Sequence, residues 1–323
     1  MAEGNERLKT IVIGGGHFGK FHVEKYARHP EVELVGVLDA APGVAEALTA
    51  RWGGVAYPTL EALPEGIDLA SVATPAGTHG VLARKLLEGG MDVLVEKPVA
   101  TELETARGLV DLAKARDRIL QVNHQERYFL AEAGLPAGLG KIRAARVRRL
   151  GPPPPKGSDC SVILDIVIHD LDWIRAFVPG EIVRIEVVRA VRGASGLLET
   201  VAARLEGESG IGIEVEASRE HGERRREAVI ETEKGRFTIN FVEREVVGPD
   251  GVARYPGSRE EEASLYGNHP FEAEDFVGKS VAHFIHCARA GRTPLVDGVA
   301  GTRALETALA LERACYSFVG DTL

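Results

Sequence analysis

The feature that most constrains this chain is a glycine-rich turn directly after its first apolar run. The run Thr10–Ile13 leads into Gly14, Gly16 and Gly19 with the spacing G-x-G-x-x-G, and a helical pattern follows. In such a unit the first glycine permits the tight turn, the second lets the backbone approach a pyrophosphate, and the third lets the helix pack on the strand. Free N–H groups at the helix start favour phosphate. The predicted phosphate-binding residues are Gly14, Gly16, His17, Phe18 and Gly19.

A carboxylate at the end of the second apolar run indicates which dinucleotide the turn would bind. Asp39 follows Leu34–Leu38, about 20 residues beyond the last glycine. A carboxylate there accepts hydrogen bonds from the adenosine ribose hydroxyls and repels a 2′-phosphate, and no arginine follows in Ala40–Pro42. These features predict NAD as the cofactor, with NADP less favoured. FAD fits less well, because the further segments of a flavin site are not found in the sequence.

The first 120 residues alternate short apolar runs with helical stretches. The runs are Thr10–Ile13, Leu34–Leu38, Leu69–Ala73, Val93–Val95 and Ile119–Val122, and the helical stretches are Gly19–Arg28, Val44–Trp52, His79–Glu88 and Glu102–Ala115. Strands that are apolar throughout and alternate with helices predict an α/β domain whose parallel sheet is covered on both faces. We therefore expect a doubly wound Rossmann domain over residues 1–123.

The pattern changes after Asn123. Lys141–Arg149 alternates apolar and basic residues, and several segments between Glu181 and Val247 alternate apolar and polar residues without intervening helices. Such segments predict a mainly antiparallel sheet with one buried face. With helices expected near the C-terminus, residues 124–323 are predicted to form an α+β domain with an open sheet. The loop Pro152–Pro155 is either a spacer or the border of a substrate site.

Composition excludes several classes of protein. The 323 residues carry a net charge of −9, which disfavours general nucleic-acid binding. No apolar run approaches the ~20 residues of a membrane-spanning helix, and the N-terminus lacks the apolar core of an export signal. We expect a cytoplasmic protein without nucleic-acid or membrane partners.

The cysteines and histidines do not predict a metal site. Cys160, Cys287 and Cys315 are odd in number and far apart, so they form neither a disulfide framework nor a metal knuckle. His283 and His286 lie three residues apart in a predicted helix, but zinc would need a third ligand. We therefore predict no metal.

Three further motifs resemble one known family. Glu96-Lys97-Pro98 follows the apolar segment Met91–Val95, Thr74–His79 follows an earlier apolar run, and Asp165–His169 has the form D-x-x-x-H. In this order the motifs resemble the glucose–fructose oxidoreductase/inositol dehydrogenase/MocA (Gfo/Idh/MocA) family. The resemblance implies a nicotinamide-binding N-terminal domain and a C-terminal domain whose exposed sheet face forms a homodimer or homotetramer. It also implies a cis peptide bond before Pro98.

The resemblance also implies roles for individual residues. It assigns the chemistry to Lys97, Asp165 and His169, and places Thr74, Pro75, His79 and Glu96 beside the cofactor. It places Arg127 close to the nicotinamide or the substrate. Asp170 is expected either to pack within the protein or to contact the substrate.

The spacing of these residues is chemically consistent with those roles. Asp165 and His169 share a face if helical, and a carboxylate that orients an imidazole helps it remove a hydroxyl proton. Lys97 at the end of a strand would stabilise the developing alkoxide. Alternatively, Lys97 is a surface lysine, and Asp165 and His169 are a helix cap and a core histidine.

Two segments narrow the substrate. Gln121–Tyr128 and Cys160–Asp172 resemble UDP-N-acetylglucosamine 3-dehydrogenases, although Asn123 replaces an expected glycine and Tyr128 an expected phenylalanine. The hypothesis is NAD-dependent oxidation of a hydroxyl of a sugar or sugar nucleotide, with C3 of UDP-N-acetylglucosamine favoured. That resemblance implies a pathway aminotransferase acting on the 3-keto product. The alternatives are an inositol or free-sugar dehydrogenase, and a non-catalytic sensor of NAD or a sugar nucleotide.

Overall fold

The computed structural model describes residues 6–135, 138–154, 158–251 and 265–320. The chain divides into two compact units, Met1–Tyr128 with Arg259–Thr302, and Phe129–Ser258 with Arg303–Leu323. No helix within the described ranges is both long enough and apolar enough to cross a membrane. Of the predicted proline loop, Pro152–Pro154 form neither helix nor strand, and Pro155 lies outside the described residues.

The described part of the first unit contains a six-stranded parallel sheet in the order β3-β2-β1-β4-β5-β6. Its strands are β1 (Leu8–Ile13), β2 (Val32–Leu38), β3 (Val55–Tyr57), β4 (Leu69–Val72), β5 (Asp92–Glu96) and β6 (Leu120–Asn123). This is the strand order of the Rossmann fold, in which the direction of chain progression reverses between β1 and β4. Ligands of such sheets bind outside the carboxyl ends of the strands at this point.

Four helices alternate with these strands, as the apolar pattern predicts. They are α1 (Gly19–Arg28), α2 (Val44–Trp52), α3 (Ala76–Glu88) and α4 (Leu103–Ala115). The interiors of β1, β4, β5 and β6 are almost fully buried, as expected for a parallel sheet covered on both faces, whereas the short edge strand β3 has no buried residue.

The described part of the second unit contains a seven-stranded sheet in the order β13-β12-β11-β7-β10-β9-β8. The helix α5 (Gln125–Glu132) precedes its first strand in the chain, and α6 (Ile168–Phe177) follows that strand. The strands are β7 (Ile142–Leu150), β8 (Ile182–Arg192), β9 (Leu198–Gly207), β10 (Gly212–Ser218), β11 (Arg225–Thr232), β12 (Gly235–Asn240) and β13 (Glu245–Val247). β7 and β10 are parallel, and the other described pairs are antiparallel, so the sheet is mixed but mainly antiparallel. The predicted fold class is confirmed.

Between residues 265 and 320 the structure describes two long helices, α7 (Phe276–Ala290) and α8 (Gly298–Phe318). Phe284 and Ile285 of α7 join the hydrophobic core of the first unit, and the N–H of Val122 in β6 donates to the carbonyl of Val296 at 2.9 Å. The structure therefore differs from the expected division, because Arg259–Thr302 belongs to the first unit and not to a single domain over 124–323. An amphipathic helix pattern predicts a buried face but does not identify what covers it.

Candidate active site

The glycine turn after β1 is shaped by two glycines and leaves the third open. Gly14 has φ +94°, and a Cβ there would lie 2.6 Å from the carbonyl oxygen of Ala73. A Cβ on Gly19 would lie 1.8 Å from the carbonyl oxygen of Gly14, so these two positions require glycine for the fold itself. A Cβ on Gly16 would meet no protein atom within 4 Å. The backbone at Gly16 is thus open to a close approach, as a pyrophosphate needs.

The other predicted residues of the turn face solvent. His17 and Phe18 are exposed, and their rings meet edge to face with centroids 5.2 Å apart. Both follow Gly16 directly, at the start of α1, where helical N–H groups attract phosphate.

Asp39 ties the end of β2 to the glycine turn. Its Oδ2 accepts a hydrogen bond from the N–H of Gly15 at 2.6 Å, and its Oδ1 accepts one from the N–H of Ala41 at 2.7 Å. Each carboxylate oxygen has two lone pairs, so both can accept a further hydrogen bond from a ribose hydroxyl. The turn and this carboxylate therefore fit a dinucleotide.

The loop after β4 is held by a buried histidine. His79 is 1% exposed, and its Nδ1 and Nε2 lie 2.7 Å from the carbonyl oxygen of Pro98 and 2.8 Å from that of Thr74. A ring nitrogen bonds a carbonyl oxygen only when it carries the N–H, and both contacts place His79 between this loop and the turn after β5. The Thr74 and Thr78 hydroxyls lie 2.7 Å apart, and Pro75 is exposed. The structure thus places His79 beneath the loop and Thr74 and Pro75 on it.

The turn after β5 carries a buried carboxylate next to Lys97. The Oε1 of Glu96 accepts hydrogen bonds from Nε2 of His22 at 2.9 Å and from Nδ2 of Asn123 at 2.6 Å. Burial by itself raises the pKa of Glu96, but the hydrogen bond and charge of His22, the Asn123 bond and the Lys97 charge outweigh it, so the pKa is lowered. Glu96 is therefore a carboxylate. The Lys97–Pro98 peptide bond is cis, as the resemblance predicts.

In the second unit, Asp165 lies in a π-helical turn, Ile163–Val167, directly before α6, and His169 is the second residue of α6. The Oδ2 of Asp165 accepts a hydrogen bond from Nη1 of Arg219 at 3.0 Å. His169 is half-buried, and 32% of the Asp165 side chain is exposed. Single π-helical turns of this kind are frequent at functional sites.

Asp170 and Arg127, the two predicted substrate-contacting residues, both bond to other parts of the protein. The Asp170 carboxylate accepts hydrogen bonds from Nε and Nη2 of Arg149 at 2.6 and 2.9 Å, and from Nε1 of Trp173 at 3.1 Å. Both members of this ion pair are almost fully buried. Arg127 donates from Nη2 to the carbonyl oxygen of Leu295 at 3.0 Å. Asp170 is thus committed to an internal ion pair.

His283, one of the two helical histidines weighed above as zinc ligands, contacts two backbone groups. Nδ1 of His283 lies 2.6 Å from the carbonyl oxygen of Leu265, and its Nε2 accepts from the N–H of Leu295 at 2.8 Å. Within the described ranges, no group of three or more His, Cys, Asp or Glu side chains is arranged to hold a metal ion.

Sequence reasoning missed four polar residues that form two hydrogen-bonded pairs, and one member of each pair contacts a predicted residue. They are His22 and Ser71, which hydrogen-bond each other beside Glu96, and Arg219 and Glu199, which form an ion pair beside Asp165. Asn123 was noticed only as a departure from an expected glycine. No local pattern identifies such residues, because their partners lie 20 to 74 positions away in the chain.

Comparison with known proteins covers both units. The oxidoreductase family's NAD-binding Rossmann fold matches residues 8–124, and the GFO/IDH/MocA C-terminal domain matches residues 137–238. The chain is 31% identical to the UDP-N-acetylglucosamine 3-dehydrogenase of Acidithiobacillus ferrooxidans over 97% of this chain and 98% of that protein. A solved structure of that enzyme superposes with a TM-score of 0.86, at 29% identity, over 97% of this chain and 99% of that one.

Two further proteins are similar. The scyllo-inositol 2-dehydrogenase (NAD(+)) of Bacillus subtilis is 28% identical over 94% of this chain and 93% of its own length. GenD2 from gentamicin A biosynthesis, solved in complex with NAD, shares the fold at 22% identity with a TM-score of 0.79, over 97% of this chain and 95% of its own. These relations confirm the predicted NAD-binding fold. From its motifs, its Rossmann strand order and these matches along its length, the chain belongs to the Gfo/Idh/MocA family of NAD-binding oxidoreductases.

Proposed function

We propose that this dehydrogenase oxidises a ring hydroxyl of a sugar nucleotide with NAD as hydride acceptor, and that the favoured substrate is UDP-N-acetylglucosamine, oxidised at C3. The observation that carries this proposal is the 31% identity to a UDP-N-acetylglucosamine 3-dehydrogenase over 97% of this chain and 98% of that enzyme. The similarity extends through the second unit, which contains the D-x-x-x-H segment.

The cofactor residues of this proposal lie at the carboxyl ends of β1, β2 and β4. When bound, NAD supplies the nicotinamide ring that accepts the hydride. The open backbone at Gly16 would permit close approach of the diphosphate, and the oxygens of Asp39, which hold the glycine turn, would accept hydrogen bonds from the adenosine ribose. Thr74 and Pro75 would flank the nicotinamide, held in place by His79.

The chemical residues of this proposal are Lys97, Asp165 and His169. A ring nitrogen of His169 takes the hydroxyl proton, and the Asp165 carboxylate one helical turn earlier orients and stabilises the imidazolium. The Lys97 ammonium stabilises the developing alkoxide oxygen. Most of the acceleration comes from holding these groups in position, and hydride transfer needs no metal in this scheme.

The roles proposed for Arg127 and Asp170 differ in support. Arg127 remains a proposed neighbour of the substrate. Asp170 is better suited to anchoring α6, because Arg149 and Trp173 already bond its carboxylate.

An assay of NADH absorbance at 340 nm tests the proposal. Purified protein with NAD is supplied in turn with UDP-N-acetylglucosamine, other sugar nucleotides, inositols and free sugars. We expect the highest kcat/KM with UDP-N-acetylglucosamine. Preference for inositol would favour the second candidate, which the similarity to the Bacillus subtilis enzyme supports. NAD binding without turnover on any of these would identify a sensor.

A variant tests the proposed base. His169→Ala should reduce turnover by about 10²–10⁴-fold while the Kd for NAD stays near wild type. Turnover near the wild-type rate would show that another group removes the proton.

We also propose a homodimer or homotetramer formed through the exposed face of the second sheet. This face carries cross-strand ion pairs, Arg146 with Glu214 at 2.5 Å and Arg148 with Glu216 at 3.0 Å. A surface with both charges in alternation is complementary to a copy of itself across a two-fold axis. Light scattering after size exclusion should show a dimer or larger for wild type and a smaller species for Arg146→Glu. A monomeric wild-type protein would contradict this.

The proposed product defines a reaction partner. A 3-keto sugar nucleotide carries a ketone that an aminotransferase converts to an amine. We therefore propose a pathway aminotransferase as the enzyme that consumes the product. A coupled assay with an aminotransferase and an amino donor should yield the 3-amino sugar nucleotide.

A further inference from the structure

A buried arginine outside the proposed mechanism contacts Asp165. Arg219 directly follows β10 and is 1% exposed. Its Nη1 donates to Oδ2 of Asp165 at 3.0 Å, and its Nε and Nη2 donate to the two oxygens of Glu199 at 2.7 and 2.9 Å. Two parallel bonds from one guanidinium to one carboxylate give a fixed geometry. Asp165 is thus bonded to a cation that is itself rigidly held.

The backbone fixes this ion cluster in place. The N–H of Arg219 donates to the carbonyl oxygen of Glu199 at 2.9 Å, continuing the antiparallel pairing of β9 and β10. Nη2 of Arg219 also donates to the carbonyl oxygen of Cys160 at 3.1 Å, five residues before Asp165. The sheet therefore holds the guanidinium, and the guanidinium holds the segment that leads into the π-helical turn.

The cluster contains one cationic and two anionic side chains. A guanidinium carries one positive charge and each carboxylate one negative charge, so Asp165 and Glu199 together outnumber Arg219. Burial by itself lowers the pKa of Arg219, but its bonds to Glu199 and Asp165 outweigh this effect and raise it. Arg219 alone would offset the negative charge that Asp165 presents to its neighbours. With Glu199 included, the cluster of Arg219, Glu199 and Asp165 keeps one net negative charge. Asp165, a member of this cluster, lies four residues before His169 in the chain.

We propose that Arg219 and Glu199 are positioning residues for the Asp165–His169 pair. Arg219 sets the direction of the Asp165 carboxylate, and Glu199 supplies the negative charge that lets this carboxylate still stabilise a protonated His169 ring. The inference rests on the proposed function, in which His169 is the base. In this proposal neither Arg219 nor Glu199 contacts the substrate or the cofactor.

The test is an NMR titration of the His169 ring in protein labelled with ¹³C-histidine. The signal absent from His169→Gln assigns the resonance. Arg219→Met leaves two carboxylates unopposed, so the titration midpoint of His169 should move to higher pH. Glu199→Gln removes one negative charge, so the midpoint should move to lower pH. Each shift should be about 0.5 pH unit or more, as expected for one nearby unit charge.

The charged side chains of α6 are not altered in these variants. Asp170 remains paired with Arg149, Arg175 with Glu181, and Asp172 is unchanged. Glu243→Gln is the matched control, because it makes the same charge change in the exposed turn between β12 and β13, and it should leave the midpoint within about 0.2 pH unit. Arg219→Lys, which keeps the charge, should leave the midpoint nearer wild type than Arg219→Met does.

Opposite shifts in Arg219→Met and Glu199→Gln support the proposal, because general structural damage would move both in one direction. No shift, or shifts of the same sign, would overturn it. The titration does not require turnover, so it is separable from the proposed function. If the shifts are opposite but the protein oxidises none of the substrates in the panel, the positioning roles are retained and the proposed dehydrogenase activity is rejected. Turnover with no opposite shifts would reject only the positioning roles.

Discussion

Replacing Asn123 tests the buried carboxylate beside Lys97. Its side-chain amide donates to Oε1 of Glu96 at 2.6 Å, and Nε2 of His22 bonds the same oxygen at 2.9 Å. Asn123→Ala removes this donor and leaves the charge buried. A hydrogen bond to a charged group contributes about 1.5–3 kcal/mol, so the free energy of unfolding of the first unit should fall by about that much at pH 7.

The loss should depend on pH in a defined direction. The folded-state pKa of Glu96 lies below its ordinary value of 4.5. The stability it contributes is therefore fully present above the unfolded-state pKa and is lost as the pH falls through the folded-state pKa. Asn123→Ala raises the folded-state pKa of Glu96, so the difference between variant and wild type should be largest near neutral pH and shrink below about pH 4.5.

Urea unfolding followed by tryptophan fluorescence measures this effect. The chain has two tryptophans, Trp52 in the first unit and Trp173 in the second, so a Trp173→Phe background reports on the first unit alone. Gln121→Ala is the matched control, because this amide on the same strand donates to the neutral Ser280 carbonyl at 3.0 Å and its cost should not change with acid.

A double-mutant cycle with Glu96→Gln isolates the contact. We expect a coupling energy of about 1–2 kcal/mol between Asn123 and Glu96. Additive effects within about 0.3 kcal/mol, or a cost that is the same at pH 7 and in acid, would refute the assignment of Asn123 as a donor to a buried carboxylate.

Four other substitutions have distinct expected outcomes. Gly14→Ala should destabilise the protein by more than about 1 kcal/mol, because of its positive φ and the 2.6 Å approach to a carbonyl, whereas Gly16→Ala should leave thermal stability unchanged and weaken NAD binding in a fluorescence titration. Asp39→Ala should weaken NAD more than NADP in the same titration, and equal losses would contradict the proposed ribose contact. Arg149→Met leaves the buried Asp170 uncompensated and should cost about 3–5 kcal/mol in urea unfolding; a loss below 1 kcal/mol would contradict a buried ion pair.

The sequence predicted the first sheet well for a simple reason. Short runs that are apolar throughout and end at a glycine turn or an acidic residue fit few structures other than a buried strand. Five of the six described strands lie within a few residues of the predicted runs. β3 was not predicted. It has only three residues, Val55–Tyr57, and it is defined by pairing with β2, not by a pattern of its own.

The candidate site was predicted only where a local motif exists. The glycine turn, Asp39 and the Lys97–Pro98 turn lie on strand ends where the Rossmann fold places them. Charged residues outside motifs were harder to interpret. The sequence left Asp170 open to packing or to substrate contact, because its partner Arg149 lies 21 positions away in the chain. No sequence pattern identified Arg219, because Asp165 and Glu199, the two carboxylates that it bonds, come together only once the strands and α6 have formed.

In the proposed mechanism, Lys97 and His169 act on the same hydroxyl. A crystal structure with NAD and the substrate identified by the panel measures this directly. We predict that Nζ of Lys97 and a ring nitrogen of His169 both lie within about 3.2 Å of the reacting oxygen, with its carbon about 3–3.5 Å from C4 of the nicotinamide. A structure in which either group lies on the far side of the sugar from that oxygen would contradict it.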